Sequence, residues 1–318
     1  MNPAAHIEQL LWNVSAMARR SAEQTRTHVL QRDTKNRLVR ANQPEETTTN
    51  NLVRQLGFGG RNLGVRALLH TRPLEGGRTH KGVVKRKPSG ADLELAIEVA
   101  PQIWFDFLLQ AKSFRPSVGT YEHWSPKQNQ HLISWAKKHN RIPGMLLYND
   151  FVVPFVKKVG TTTDYTCTVF GGCASVERVQ VERWGQTEYC HGPKATPAGI
   201  SMCLDKQLMS TRPAHLTAIK KYHFQIEHLL HIREHNDAID GQGVALTALS
   251  RPTPPGWAAD LLNAADPGTS DAGAIYRVDD GEPQNTPPDF SARASLVIPF
   301  AGDGRQGSSL AASTTSLQ

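Results

Sequence analysis

Residues 90–112 read GADLELAIEVAPQIWFDFLLQAK, the strongest structural signal in the chain. Apolar residues recur at every second position on both sides of a short break at residues 100–102. Successive side chains of a β-strand point to opposite faces, so this period of two predicts strands at about 91–99 and 103–112. The break leaves room only for a tight connection, so we expect the two strands to pair as an antiparallel hairpin.

The polar positions of this hairpin carry the groups that metal-assisted phosphodiester cleavage requires. Asp92 and Glu94 share one face of the first strand. Gln110 and Lys112 share one face of the second. Carboxylate and amide oxygens are ligands for Mg²⁺, and a lysine beside them can orient water or offset charge on phosphate. The alternative is a half-exposed hairpin with a solvated polar face, in which Lys112 pairs with Asp92 or Glu94 across the strands.

Other elements surround the hairpin in the order expected of an α/β domain. Pro44 followed by Glu45 and Glu46 is typical of a helix N-terminus, where proline fits the first turn and acids oppose the positive end of the helix dipole. The remaining expected elements are a helix at 126–138, a buried strand at 145–148, short β-like runs within 151–205 and a helix at 213–235. Together they predict a mixed central sheet flanked by helices.

The two ends of the chain differ in composition from its centre. Residues 5–30 show helical spacing of apolar residues, and a polar, basic connector follows them, so we expect residues 1–43 to form an N-terminal helical segment. Lysine and cysteine are absent after residue 236, where Pro, Gly, Ser, Thr and Asp dominate. Such a composition buries too little apolar surface to offset chain entropy, so residues 237–318 are predicted to be a flexible, disordered acidic tail.

Positive charge is concentrated in the first part of the chain. Residues 1–90 carry a formal net charge of +10, residues 91–236 carry +3 and residues 237–318 carry −6. A basic excess favours a polyanionic partner, nucleic acid first, through neutralisation of phosphates. The alternatives are a solvated basic surface and a surface that binds an acidic protein segment, such as the chain's own tail. The basic residues that precede the hairpin are Arg61, Arg66, Arg72, Arg78, Lys81, Lys85, Arg86 and Lys87.

Several other classes of protein and site are disfavoured. The chain has no run of about 18 apolar residues and no N-terminal signal pattern, so we expect a cytoplasmic protein without a membrane span. The cysteines lack the close pairing typical of zinc sites, which favours buried thiols. Three histidines share one face of the predicted last helix, but a polar helix face explains them without a metal. These residues are Cys167, Cys173, Cys190, Cys203, His228, His231 and His235.

The motifs of the hairpin resemble those of the PD-(D/E)xK restriction-endonuclease-like superfamily, in which an acid on one strand precedes an (E/D/Q)-x-K tripeptide on the next. Asp92 would match the acid, Gln110 the second ligand in its glutamine, Mrr-like form, and Lys112 the lysine. The Gly-Ala-Asp and Gln-Ala-Lys motifs also resemble those of a bacterial family of unknown function. The resemblance implies an α/β, restriction-endonuclease-like domain, which we place at residues 44–236.

By this resemblance the protein would be a Mg²⁺- or Mn²⁺-dependent endonuclease that hydrolyses phosphodiester bonds, in bacterial defence or DNA processing. Its metal would be held by Asp92, Gln110 and Glu94. The helix before the hairpin would add a carboxylate from Glu45 or Glu46. The expected partner is nucleic acid, DNA before RNA, and a homodimer is a candidate assembly. Because Gln110 is neutral, the alternatives are a nuclease fold that binds nucleic acid without cleaving it, and a protein-interaction domain.

Overall fold

The computed structural model describes residues 3–41, 43–69, 79–80, 83–84, 89–115, 120–149, 199–211, 223–226, 229–230, 246–263 and 292–300. Its helices are α1 (Pro3–His28), α2 (Glu45–Gly59), α3 (Pro126–Lys138), α4 (Lys206–Met209) and α5 (Gly256–Asn263). Its strands are β1 (Leu30–Arg32), β2 (Leu38–Arg40), β3 (Arg66–Leu69), β4 (Thr79–His80), β5 (Val83–Val84), β6 (Ala91–Ala100), β7 (Ile103–Arg115), β8 (Thr120–Tyr121), β9 (Ile142–Asn149), β10 (Gly199–Cys203), β11 (His223–Gln225) and β12 (Ala292–Ile298). The three helices predicted up to residue 138 are present, as are the predicted hairpin strands and the strand at 145–148.

Eight strands of the described residues form a mixed sheet at the centre of the structure. Its order is β11, β10, β9, β7, β6, β12 and β3, and β8 pairs with the end of β7. The hairpin of β6 and β7 is antiparallel, as predicted. It has two parallel neighbours, β9 beside β7 and β12 beside β6. Helices pack against the sheet, so the predicted mixed α/β architecture is confirmed.

Both faces of the hairpin are buried. The apolar positions of β6 and β7, among them Leu95 and Phe107, pack with α1 and α2 in the main core. On the opposite face, α3 packs against Leu108 and α5 packs against Ala96. That second face also holds four polar or charged side chains that are at most 3% exposed, Glu94, Asp106, Gln110 and Lys112. The alternative of a solvated polar face is therefore wrong, and these buried polar groups need partners.

A buried arginine satisfies two of these polar side chains. Arg141, between α3 and β9, donates from Nη1 to Glu94 Oε2 at 2.9 Å and from Nε to Asp106 Oδ1 at 2.9 Å. Trp257 of α5 also donates to Asp106 Oδ1, at 3.3 Å, and the centroid of its ring lies 5.4 Å from the guanidinium. Burial alone would lower the pKa of Arg141, but Asp106 and Glu94 hold it above its usual value. We call these four residues the Arg141 cluster.

The region predicted as a flexible tail contributes a central strand. β12 lies between β6 and β3, and it places Ser295 beside Glu94. Ser295 Oγ donates to Glu94 Oε1 at 2.6 Å, which ties β12 to the Arg141 cluster. The tail prediction is wrong for residues 256–263 and 292–298, because their few apolar side chains lie in short runs that complete the core. Outside the described residues are 237–245, 264–291 and 301–318.

The predicted boundary after residue 43 does not separate two units. Helix α1 places Ile7, Leu11 and Val14 in the same core as the apolar face of the hairpin. The predicted connector after this helix forms a short antiparallel hairpin of β1 and β2. Helix α1 therefore belongs to the domain that carries the sheet.

One prediction for the second half of the chain is also wrong. Residues 223–225, within the helix predicted at 213–235, form β11 and pair with β10. Cys203 of β10 is a buried free thiol, as expected, and burial raises its pKa to about 12. Among the described residues, no helix is long and apolar enough to cross a membrane. The candidate residues outside the described part of the chain are Arg72, Arg78, Lys81, Lys85, Arg86, Lys87, Cys167, Cys173, Cys190, His228, His231 and His235.

We expect Arg141→Met to lower the free energy of unfolding by about 3–5 kcal/mol, because it leaves Glu94 buried without a cation and leaves Asp106 with only Arg251, whose Nη2 lies 3.5 Å from Asp106 Oδ2. Chemical denaturation measures this loss as a lower unfolding midpoint. As a matched control, Lys137→Met removes a cation from the exposed side of α3 and should change stability by less than about 0.5 kcal/mol. Equal stability of the two variants would contradict the structural role of the Arg141 cluster.

Candidate active site

The candidate site lies where β6 and β7 stop pairing. Leu93 of β6 and Leu109 of β7 are the last residues that pair with each other, at the end of the hairpin farthest from its turn. Beyond that point β6 continues alongside β12, and β7 continues alongside β9. We call this unpaired end of the hairpin, residues 89–92 and 110–113, the fork. At the fork, the backbone N–H and C=O groups on the facing edges of β6 and β7 need hydrogen-bond partners other than a neighbouring strand.

Two carboxylates take the place of the missing strand partner. The N–H groups of Ala111 and Ser113 leave β7 on the side of β6, because alternate residues of a strand point their backbone groups the same way. Asp92 Oδ2 accepts from Ala111 N–H at 2.8 Å. Glu45, at the start of α2, accepts through Oε1 from Ser113 N–H at 3.0 Å. Each carboxylate is therefore anchored through one oxygen and keeps its second oxygen for another partner.

A cation faces the second oxygen of each anchored carboxylate. Lys112 Nζ lies 3.6 Å from Glu45 Oε2, and its side chain is only 4% exposed. Arg293 of β12 has its Nε 3.6 Å from Asp92 Oδ1, and its Nη1 forms an ion pair with Glu46 Oε1. Both 3.6 Å distances are longer than a normal hydrogen bond, so charge attraction rather than a directed bond joins these atoms. These two carboxylate oxygens are therefore open to a better-placed cation.

Gln110 brings a neutral oxygen to the fork. The hairpin register, continued by one residue, sets it opposite Asp92. Its Nε2 donates to Gly90 O at 3.1 Å, and since a carbonyl only accepts, this bond fixes which end of the amide carries the oxygen. Gln110 Oε1 is buried and accepts no hydrogen bond within the described part of the chain. An unpaired buried acceptor is unfavourable, so it marks a position where a cation or a donor would be stabilised.

Burial shifts the titration of the two anchored carboxylates. Desolvation raises the pKa of Asp92, although the bond from Ala111 N–H and the charges of Lys112 and Arg293 oppose this. Desolvation also raises the pKa of Glu45, against the opposing charge of Lys112. Neighbouring acids whose pKa values are raised by burial beside specific charged partners are typical of functional sites.

A buried hydroxyl pair supports the helix that carries Glu45. Thr49, one turn further along α2, has its Oγ1 2.6 Å from the hydroxyl of Tyr148 in β9. Burial raises the pKa of Tyr148, so the phenol stays neutral. Nearby, Tyr121 of β8 donates to Asn149 at the end of β9. These contacts hold the start of α2 and the strand β8 against the carboxyl end of β9.

The structure brings five of the six predicted site residues together. Those at the fork are Asp92, Gln110, Lys112, Glu45 and Glu46. Glu94 shares a strand face with Asp92, but its two carboxylate oxygens accept from Arg141 and Ser295. We therefore leave Glu94 out of the ligand set that we assign to the fork, because its buried charge is already compensated inside the Arg141 cluster.

Two further residues near the fork, Arg293 and His123, are not marked by the sequence. Arg293 lies in the region predicted as a tail, and no local pattern singles it out. His123 follows β8 in the left-handed region, with φ of 50°, and lies close enough to Glu45 that a proton on its imidazole would lower the pKa of that carboxyl group. The neighbouring Glu122 N–H donates to Ser113 O at 2.8 Å, which holds this turn close to Glu45. A positive φ in a non-glycine residue is uncommon and visible only in the structure.

The oxygen atoms at the fork suit a hard divalent cation. The candidate ligand atoms are Asp92 Oδ1, Glu45 Oε2 and Gln110 Oε1. The carbonyl of Ala111 leaves β7 on the same side as its N–H, which adds a fourth oxygen. Mg²⁺ prefers oxygen ligands and usually keeps several waters, so one or two carboxylates are enough to bind it. The described residues contain no group of three or more His, Cys, Asp or Glu side chains placed to hold a metal, so Gln110 would be a necessary member of the set.

Comparison with known proteins identifies the family. A model described as a family of unknown function (DUF6615) matches residues 14–293. The match begins in α1 and ends at Arg293 in β12, so it includes every residue assigned to the fork. No curated protein and no solved structure matches the chain. Because the family model covers most of its length, the chain belongs to the DUF6615 family of unknown function.

Proposed function

We propose that the protein is a Mg²⁺-dependent nuclease that hydrolyses phosphodiester bonds of nucleic acid. The supporting observation is the pair of anchored carboxylates at the fork, with the unpaired oxygen of Gln110 and the ammonium of Lys112 beside them. The backbone bonds orient Asp92 and Glu45 before any ligand arrives, which reduces the reorganisation that metal binding requires. Mn²⁺ accepts the same oxygen ligands and would serve in its place.

The residues of the fork would divide the work of hydrolysis. Asp92, Glu45 and Gln110 would hold the metal, which when bound polarises the phosphate and lowers the pKa of a coordinated water. Water attacks phosphorus, the bond to the leaving sugar oxygen breaks, and that oxygen departs with a proton as a hydroxyl. The buried ammonium of Lys112 can orient the attacking water or offset the negative charge that develops on the phosphate.

We also infer that the sheet is of the restriction-endonuclease-like type. The order of elements supports this: the acid-bearing helix α2, the hairpin of β6 and β7, the helix α3, and then β9 parallel to β7. Asp92 on the first hairpin strand and Gln110-x-Lys112 on the second agree with the motif of that superfamily. DNA is favoured over RNA by the resemblance alone. The basic excess of residues 1–90 supports a polyanionic partner.

A second candidate function is the binding of nucleic acid without cleavage. The charge balance of the fork favours it, because three carboxylates face two cations and Gln110 adds no charge. The site then has a single net negative charge, and the affinity of oxygen sites for divalent cations rises with the number of charged ligands. The two candidate functions differ in whether Lys112 affects cleavage or only stability.

We expect Lys112→Met to reduce cleavage at least about 100-fold, since removing one positioned donor or charge from an active site typically has this effect. Nicking of supercoiled plasmid in Mg²⁺ measures cleavage, and fluorescence anisotropy with Ca²⁺ in place of Mg²⁺ measures binding. Binding should change little, because the Lys112 side chain is buried.

The matched control is Lys127→Met, which removes an exposed lysine from α3 and should leave cleavage unchanged. Circular dichroism verifies that both variants are folded. Cleavage by folded Lys112→Met at the wild-type rate would refute the nuclease proposal. Absence of cleavage by the wild type, with binding intact, would favour the second candidate function, binding of nucleic acid without cleavage.

We expect the affinity for Mg²⁺ to fall as the pH is lowered, beginning above the range in which an ordinary carboxyl group titrates. Metal binding requires ionised Asp92 and Glu45, and because burial raises both pKa values, protons compete at a higher pH than usual. Calorimetric titration with Mg²⁺ at a series of pH values measures this. Asp260→Asn, on the exposed side of α5, should keep the wild-type profile. A dissociation constant that stays level down to about pH 4 would contradict the assignment.

A further inference from the structure

The position of Arg293 is set by the register of β12. In the parallel pairing with β6, Ala292 lies beside Ala91 and Ser295 beside Glu94. Arg293 therefore lies beside Asp92, on the same face of the sheet. Its side chain is 37% exposed, whereas the side chain of Lys112 is almost fully buried. Of these two cations at the fork, Arg293 is the one that solvent reaches.

Arg293 occupies the side of Asp92 that a metal would need. Asp92 Oδ2 is anchored by Ala111 N–H, so Oδ1 is the oxygen available for a ligand, and Arg293 Nε lies 3.6 Å from it. The Nη1 atom of the same guanidinium is held by Glu46. A divalent cation bound to Oδ1 would be close to a positive charge, so binding favours movement of the guanidinium away from Asp92.

We propose that Arg293 is a substrate-binding residue of this site, held between Glu46 and Asp92 until a divalent cation occupies Asp92, after which its guanidinium moves to bind a phosphate oxygen of nucleic acid. This inference rests on the proposed function. A guanidinium suits the role, because its planar set of N–H donors matches two oxygens of a phosphate. In the absence of metal, Glu46 pairs with Nη1 and the charge of Asp92 attracts Nε. Metal binding and phosphate binding are thereby coupled through one side chain.

The test compares Arg293→Met with the wild type in two binding experiments. Calorimetry should show Mg²⁺ binding about tenfold more tightly to Arg293→Met, because the internal competitor for Asp92 is gone. Anisotropy with DNA and Ca²⁺ should show weaker binding, with the slope of log affinity against log salt reduced by about 1. Without a divalent cation, the two proteins should have the same slope. Arg293→Lys keeps the charge and should fall between them in both experiments.

The matched control is Arg54→Met, which removes an exposed arginine from α2 and should leave the affinity for Mg²⁺ unchanged. If Arg293→Met bound Mg²⁺ no more tightly than the wild type does, the proposed competition between Arg293 and the metal for Asp92 would be refuted. An unchanged salt slope in Ca²⁺ would overturn the phosphate contact. If the wild type itself binds no Mg²⁺, the proposed function fails. If the wild type binds Mg²⁺ and Arg293→Met binds it equally well, only the role of Arg293 fails.

Discussion

The buried ion cluster around Arg141 is the constraint on which the rest of the structure depends. Its guanidinium lies between Glu94 of β6 and Asp106 of β7, and the indole of Trp257 in α5 completes it. Burying these charges is costly unless each has its partner. The cluster therefore favours the one arrangement in which β6, β7 and α5 bring these partners together, in addition to any stability that it contributes. The bond from Ser295 to Glu94 extends the same requirement to β12 and fixes its register. Through that register the cluster places Arg293 beside Asp92.

The fork shows how an interrupted ladder becomes a chemical site. Two backbone N–H groups of β7 lose their strand partner, and the carboxylates of Asp92 and Glu45 replace it. Each acid uses only one oxygen for this purpose, so structural and chemical roles are divided between the two oxygens of one group. The buried oxygen of Gln110 lies at the same end of the hairpin without a partner. The geometry that stabilises the strand ends also prepares a set of oxygens for a cation.

Local patterns in the sequence predict the hairpin, the helix start at Pro44 and five of the residues that meet at the fork, because strand alternation and helix N-terminal preferences depend on neighbouring residues. Glu94 shows where this reasoning fails. In the sequence it resembles Asp92, and its distant partners Arg141 and Ser295, 47 and 201 positions away, separate their roles. The same reasoning missed strand β12, because its partner β6 is about 200 residues distant in the chain. The restriction-endonuclease-like relationship and the nuclease activity stay predictions.

Anomalous diffraction from crystals soaked in Mn²⁺ tests the metal site most directly, because it locates the ion independently of activity. We expect a peak at the fork, about 2.0–2.3 Å from Asp92 Oδ1, Glu45 Oε2 and Gln110 Oε1, with Glu94 still bonded to Arg141. A peak coordinated by Glu94, or manganese bound elsewhere with none at the fork, would contradict it.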